Sequence, residues 1–127
     1  MPKLELRPDP TSPGLARRFV RSVLADAGID PLITEDAALL ATELVTNSVI
    51  HASTDITLEV VVENGAVQIG VTDGSRAQPV LREENHEATT GRGLQLLDKV
   101  ATEWGVIYAG ATKTVQFSLV SDLAGPL

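Results

Sequence analysis

Apolar residues recur at three- and four-residue spacing through the middle of the chain, from about Thr34 to about Ala52. This period predicts an amphipathic α-helix. Thr34, which two acidic residues follow, is expected to cap its N-terminus, where the helix dipole is positive. The predicted apolar stripe of this helix consists of Ala37, Leu40, Ala41, Leu44 and Val45.

The same helix carries a row of polar residues. Glu43, Asn47 and His51 are spaced so that successive members are offset by only about 40° around the helix. Glu43 and Asn47 fall at the edge of the apolar stripe, and His51 falls within it. Because unpaired polar groups are costly beside a buried face, the row requires a partner, either another side chain or a bound ligand.

The N-terminal part of the chain predicts a strand and a helix. Residues 3–7 alternate between polar and apolar, which indicates a short strand. Ser12 is expected to cap the helix, with Pro13 as its first residue and Gly28 as its C-terminal cap. Three arginines lie away from the apolar stripe of this helix, and the pattern alone favours a solvated face for them: Arg17, Arg18 and Arg21.

A β-hairpin with a defined register follows. Residues 55–63 alternate between apolar and polar positions, and Asn64-Gly65 is a strong two-residue turn signal. Such a loop pairs Glu63 with Ala66. The inward pairs expected from this register are Val62 with Val67, Val60 with Ile69, Leu58 with Val71 and Ile56 with Asp73.

Asp73 is the last residue of its strand and is expected to lie on the same inward face as Val67, Ile69 and Val71. Removing a carboxylate from water is expensive, so a charge on this face requires a partner. Two interpretations of the pattern are open. Asp73 is either a functional group or a strand-end residue that caps the turn at Gly74-Ser75.

The last third of the chain predicts a loop, a helix and two strands. Residues 74–90 lose periodicity, and a connection of this length is typical of a functional lid. A third helix of about three turns is expected next, ending at Trp104-Gly105. Two closing strands are predicted at 106–108 and 113–120. Val115, Phe117 and Leu119 of the second strand share one face. A loose tail is expected at 121–127.

This order of elements predicts a single domain over residues 1–127. Hairpins imply antiparallel pairs, and the amphipathic helices need an apolar sheet face to cover. The predicted fold class is α/β (α+β). It is a two-layer sandwich with a mixed, mostly antiparallel sheet of about five strands, covered on one face by three helices.

Composition narrows the range of functions. The formal net charge is −7, and an acidic surface repels phosphate backbones, so nucleic acid is not the expected partner. The chain has no cysteine, which excludes thiolate metal sites and a cysteine nucleophile and fits a cytoplasmic protein. No apolar run is long enough to span a membrane, and none marks the N-terminus for export.

Three features could converge on one site: the polar row on the second helix, Asp73 at a strand end and the glycines that open the third helix. Gly91 and Gly93 open a helix, where backbone N–H groups and the helix dipole favour an anion, and Arg92 adds positive charge. Asn47 offers the neutral oxygen that Mg²⁺ accepts beside phosphate oxygens and water. Glu43 is placed to accept a proton from an attacking hydroxyl or water, and Asp73 to accept a hydrogen bond from an exocyclic amine.

Motifs in this order resemble those of the GHKL (histidine-kinase-like) ATPases, in the form shared by bacterial anti-sigma-factor serine/threonine protein kinases. Residues 43–52, ELVTNSVIHA, resemble the N box. Residues 71–74, VTDG, with Pro79 following, resemble a shortened G1 box. Residues 91–97, GRGLQLL, resemble the G2 box, and residues 113–115 resemble the last nucleotide-contacting strand. The resemblance covers nearly the whole chain.

The resemblance implies ATP held between the second helix, the lid and the third helix. By position it makes Glu43 the catalytic carboxylate and Asn47 the Mg²⁺ ligand. Asp73 would bind the adenine amine, with Thr114 nearby through its hydroxyl or through water. The residues implied along the phosphates are Gly91, Arg92, Gly93 and Leu94.

Two further positions match family residues. Arg17 corresponds to an arginine on the first helix of the family that contacts protein partners. The resemblance therefore favours a partner-binding role for Arg17 over a merely solvated position. His51 corresponds to a family histidine, for which contact with the ligand and an orienting or core role are both open.

Three functional hypotheses follow. The first is a protein-serine kinase that uses MgATP to phosphorylate an anti-anti-sigma partner and sequesters a sigma factor. The resemblance also suggests a homodimer. The second is a nucleotide-binding regulatory module that sequesters a protein partner without phosphotransfer. The third makes Glu43, Asn47 and His51 satisfied core polar residues with no ligand.

Overall fold

The computed structural model describes residues 2–75 and 95–120. Residues 95–100 are helical (α3) and lie between the third and fourth strands. The other elements are, in chain order, β1 (Lys3–Leu6), α1 (Ser12–Asp26), α2 (Pro31–His51), β2 (Ile56–Glu63), β3 (Ala66–Asp73), β4 (Glu103–Ala109) and β5 (Thr112–Val120).

The strands form one sheet in the order β1-β2-β3-β5-β4, and every pairing among these strands is antiparallel. The predicted β2–β3 register is confirmed from the Glu63–Ala66 pair to the Leu58–Val71 pair. Its paired residues end at Thr57–Thr72, one position before the expected pair of Ile56 with Asp73. Asn64 and Gly65 both have positive φ, 54° and 80°, as a two-residue hairpin turn with matching twist requires.

The helices cover one face of the sheet, which confirms the predicted two-layer sandwich. The inward residues of β2, β3 and β5 meet α1 and α2 in a single core, to which Leu97 of α3 also belongs. The predicted stripe of α2 is buried at every position. Removing a side chain such as leucine or valine from water contributes about 1.5–3 kcal/mol, so this shared core is the main source of stability.

The predicted N-caps of the two long helices were wrong by one and four residues. Thr11, not Ser12, is the N-cap of α1, and the Ser12 hydroxyl donates to the backbone carbonyl of Arg7. Helix α2 begins at Pro31, where the Asp30 side chain accepts a hydrogen bond from the N–H of Leu32 at 2.8 Å. Asp30-Pro31 was the stronger helix-start signal, because proline is favoured in the first turn.

The predicted end of the third helix at Trp104-Gly105 was also wrong. Both residues lie in β4, where Trp104 pairs with Phe117 of β5. The Trp104 indole N–H donates to Asp98 Oδ1 at 2.7 Å and so ties α3 to this strand. The helix ends earlier because the cross-strand pairing with Phe117 takes precedence over the weak helical period.

Most of the predicted lid at 74–90 and the whole tail at 121–127 lie outside the described residues, as do Gly91 to Leu94. Within the described ranges, no helix is long and apolar enough to cross a membrane.

Candidate functional site

The side chain of Asp73 is buried at the end of β3, with 3% of the residue exposed. The Ser48 hydroxyl of α2 donates to Asp73 Oδ2 at 2.6 Å, and the N–H of Ser75 donates to Oδ1 at 2.9 Å. Lys113 of β5 places its Nζ 3.8 Å from Oδ2. Asp73 therefore both caps the turn that follows it and joins α2 to the centre of the sheet.

Sequence reasoning missed Ser48 and Lys113, although each carried a signal. Ser48 lies four residues after Leu44 on the buried side of α2, so it is a polar residue in the apolar stripe. Lys113 precedes Val115 by two positions and therefore shares the inward phase of β5. A lysine at an inward position needs an acidic partner, and the pairing of β3 with β5 identifies that partner as Asp73.

Asn47 precedes Ser48 on α2 and is half-buried. Its Oδ1 is shielded from solvent, and among the described residues it has no hydrogen-bond partner. Most buried side-chain oxygens in proteins do have a partner, so this exception requires an explanation. A neutral amide oxygen is a ligand that Mg²⁺ accepts.

Glu43 and His51 differ in their surroundings. Glu43 is half-buried one turn before Asn47, on the side of α2 where the prediction placed it. His51 is exposed, so its predicted position inside the apolar stripe was wrong. It is the last residue of α2, and both Ile50 and His51 are exposed at this end of the helix.

The structure does not bring Thr114 together with Asp73. Successive side chains of a strand point to opposite faces, so Thr114 lies on the sheet face away from the helices. There its hydroxyl is 2.7 Å from that of Thr72, and the methyl group packs over Gly70, whose Cβ position would lie 3.3 Å away. The inward neighbour of Asp73 on β5 is Lys113 instead.

The turn after Asp73 is packed against the loop that leaves α2. The N–H of Gly74 donates to Thr54 Oγ1 at 2.8 Å. A Cβ on Gly74 would lie 3.1 Å from Thr54 Cγ2, closer than such contacts normally allow. Any larger residue at this position would therefore require the Thr54 side chain to shift by a few tenths of an ångström.

Of the other predicted site residues, Arg17 is exposed on α1. Arg18 and Arg21 on the same helix are exposed as well, and Arg21 forms an ion pair with Glu35 of α2 at 2.7 Å. Gly91, Arg92, Gly93 and Leu94 lie outside the described residues.

Helix α2, the end of β3 and the start of β5 thus present an unpaired amide oxygen, a buried carboxylate and a lysine ammonium group within one region. Among the described residues, no group of three or more His, Asp or Glu side chains is arranged to hold a metal ion. Mg²⁺ in nucleotide sites uses one or two protein oxygens and takes its remaining ligands from phosphates and water. The unpaired Asn47 oxygen fits that mode of binding.

Comparison with known families assigns this fold and site to a class. The model of the histidine kinase-like ATPase domain matches residues 6–119. The chain therefore belongs to the histidine kinase-like ATPase family, as the sequence motifs predicted. Membership implies that the domain binds ATP.

One solved structure with a similar fold is the crystal structure of the RsbU and RsbW domains of Rv1364c from Mycobacterium tuberculosis. The match has a TM-score of 0.71 and 19% identity, and it covers 94% of this chain and 32% of that one. The present chain thus spans about a third of the length of that protein, and the likeness is one of fold. No curated protein sequence matches the chain significantly.

Proposed function

We propose that this protein is an anti-sigma-factor-like kinase that uses MgATP to phosphorylate a serine of an anti-anti-sigma partner. In this proposal, the phosphorylation state of the partner decides whether the protein sequesters a sigma factor. Family membership supports the ATP site, and the fold shared with a structure that contains an RsbW domain supports the kind of regulator.

The observation that carries the proposal is the buried Oδ1 of Asn47, which lacks a partner among the described residues. A third of a turn further along α2, Ser48 holds the Asp73 carboxylate. The helix therefore links a candidate metal ligand to a candidate base-binding group. This arrangement supports a ligand that carries both a magnesium-bound phosphate and a base with an exocyclic amine.

Each residue has a separate role in the proposed reaction. Asn47 would hold Mg²⁺, which neutralises phosphate charge when it is bound. Glu43 would accept the proton of the attacking serine hydroxyl. Asp73 would accept a hydrogen bond from the adenine amine, and Gly91 to Leu94 would line the phosphates. Phosphoryl transfer depends mainly on positioning and charge neutralisation, so a domain of this size suffices.

The protein partner is proposed from the surface of α1. Arg17 is exposed there and offers a cation on a chain whose net charge is −7. A sigma-factor partner would place the protein in the cytoplasm, and the family resemblance supports a homodimer.

Radiolabel transfer tests the reaction. Wild-type protein with γ-labelled ATP and Mg²⁺ is expected to label a candidate anti-anti-sigma protein, and Asn47→Ala is expected to abolish the label. Glu43→Gln should retain ATP binding and lose transfer, because it removes the base and keeps the shape. Gln68→Ala, which removes an exposed amide on the opposite sheet face, is the matched control and should transfer normally.

Full labelling by Asn47→Ala would contradict the proposed mechanism. If the wild-type protein binds ATP and labels no partner, nucleotide-dependent sequestration without phosphotransfer replaces the kinase proposal.

A further inference from the structure

Lys113 is a buried lysine to which the roles above give no task. Only 9% of the residue is exposed, although lysine is among the residues least often buried. Its place on β5 is directly across from Asp73 of β3, so both side chains leave the sheet on the face that the helices cover.

The Lys113 ammonium group is poorly satisfied by its surroundings. Its Nζ is 3.8 Å from Asp73 Oδ2, which is an ion-pair distance and too long for a hydrogen bond. The nearer partner of that oxygen is the Ser48 hydroxyl at 2.6 Å. An ammonium group has three donors, and within the described ranges none of them makes a hydrogen bond to the protein. The Lys113 side chain is 11% exposed, so these donors remain open to an acceptor that a ligand supplies.

Asp73 and Lys113 together present an acceptor beside a donor. The complementary ligand edge carries a donor beside an acceptor. Adenine has this arrangement, because its exocyclic amine lies beside the ring nitrogens N1 and N7, which are acceptors. Guanine has a carbonyl oxygen in place of that amine, and this oxygen would face the Asp73 carboxylate.

We propose that Lys113 is a base-recognition residue whose ammonium group donates a hydrogen bond to a ring nitrogen of adenine while Asp73 accepts one from the exocyclic amine. The inference rests on the proposed ATP site and adds the residue that reads the second atom of the base. It replaces Thr114, which lies on the opposite face of the sheet, as the β5 residue of the base pocket.

Nucleotide analogues separate this role from that of a counterion for Asp73. Calorimetry with Mg²⁺ compares ATP, 1-deaza-ATP and 7-deaza-ATP, which differ by one ring nitrogen and all keep the amine. Wild-type protein is expected to bind one of the two analogues about tenfold or more weakly than ATP, the value of a charge-assisted hydrogen bond. Lys113→Met should bind that analogue and ATP equally, and Lys113→Gln, which keeps an N–H donor, should retain part of the difference.

Other results would overturn the inference. A pure counterion predicts that Lys113→Met weakens all three nucleotides by the same factor, and a lysine that blocks the pocket predicts tighter binding of all three. Equal binding of all three by the wild-type protein refutes the role even if Lys113→Met fails to fold, which thermal unfolding would reveal. A wild-type protein that binds no ATP refutes the proposed function itself, whereas ATP binding without a lysine-dependent difference refutes only the role of Lys113.

Discussion

Asp73 illustrates how one residue serves both the fold and the site. A buried carboxylate is tolerated only when hydrogen bonds and a counter-charge replace water, and Ser48, Ser75 and Lys113 supply them here. These groups leave acceptor capacity on the carboxylate, because its two oxygens offer about four lone-pair sites. The remaining capacity is what a base amine would use.

Ser48→Ala tests the structural half of this description. The substitution removes the shortest hydrogen bond to Asp73 and leaves a buried carboxylate oxygen without that donor. We expect the free energy of unfolding to fall by about 1–3 kcal/mol, measured by urea denaturation. Ser22→Ala, at an exposed position of α1, is the control and should stay within about 0.5 kcal/mol of the wild type. Equal stability of the two variants would show that the Ser48–Asp73 contact contributes nothing.

Helix α2 is the element in which core and site meet. One side of it buries the stripe from Ala37 to Val45 together with Ser48, and the border of that side carries Glu43 and Asn47. The position of the candidate metal ligand therefore depends on the same packing that stabilises the domain. Asp30 and Pro31 set the start of the helix, and the observed N-cap lies four residues before the predicted one.

Asp30→Ala tests this start. Loss of the N-cap is expected to lower the free energy of unfolding by about 0.5–2 kcal/mol, because the N–H of Leu32 loses its acceptor. Asp30→Asn keeps a capping oxygen and should retain most of the stability. Chemical denaturation of both variants provides the measurement. A loss in Asp30→Asn as large as in Asp30→Ala would point to a charge effect in place of the cap.

At the scale of the whole molecule, the fold was largely predictable and the site was predictable in part. Strict alternation and the Asn64-Gly65 turn determine register, since a two-residue loop permits few alternatives. The helix starts were less predictable because several capping residues compete within a few positions. The site was harder to predict, because it depends on which face of the sheet each side chain occupies. The partnership of Asp73 with Lys113, and the outward position of Thr114, follow from the pairing of β3 with β5, which no local pattern specifies.

The exposure of His51 has the same kind of cause. A helical projection treats every turn as equally packed, whereas His51 belongs to the last turn of α2. Family motifs predicted the ATPase class because several of them occur in order, and that class is confirmed over residues 6–119.

Calorimetric titration of ATP in the presence of Mg²⁺ and then of excess EDTA tests the central claim most directly, namely that α2 and the end of β3 hold MgATP through Asn47. The wild-type protein and Gln68→Ala should bind ATP about tenfold to a hundredfold more tightly with Mg²⁺ than without it, and Asn47→Ala should lose that dependence, since one amide-to-cation contact is removed. An Asn47→Ala protein whose affinity for ATP rises with Mg²⁺ as strongly as that of the wild type would contradict the account.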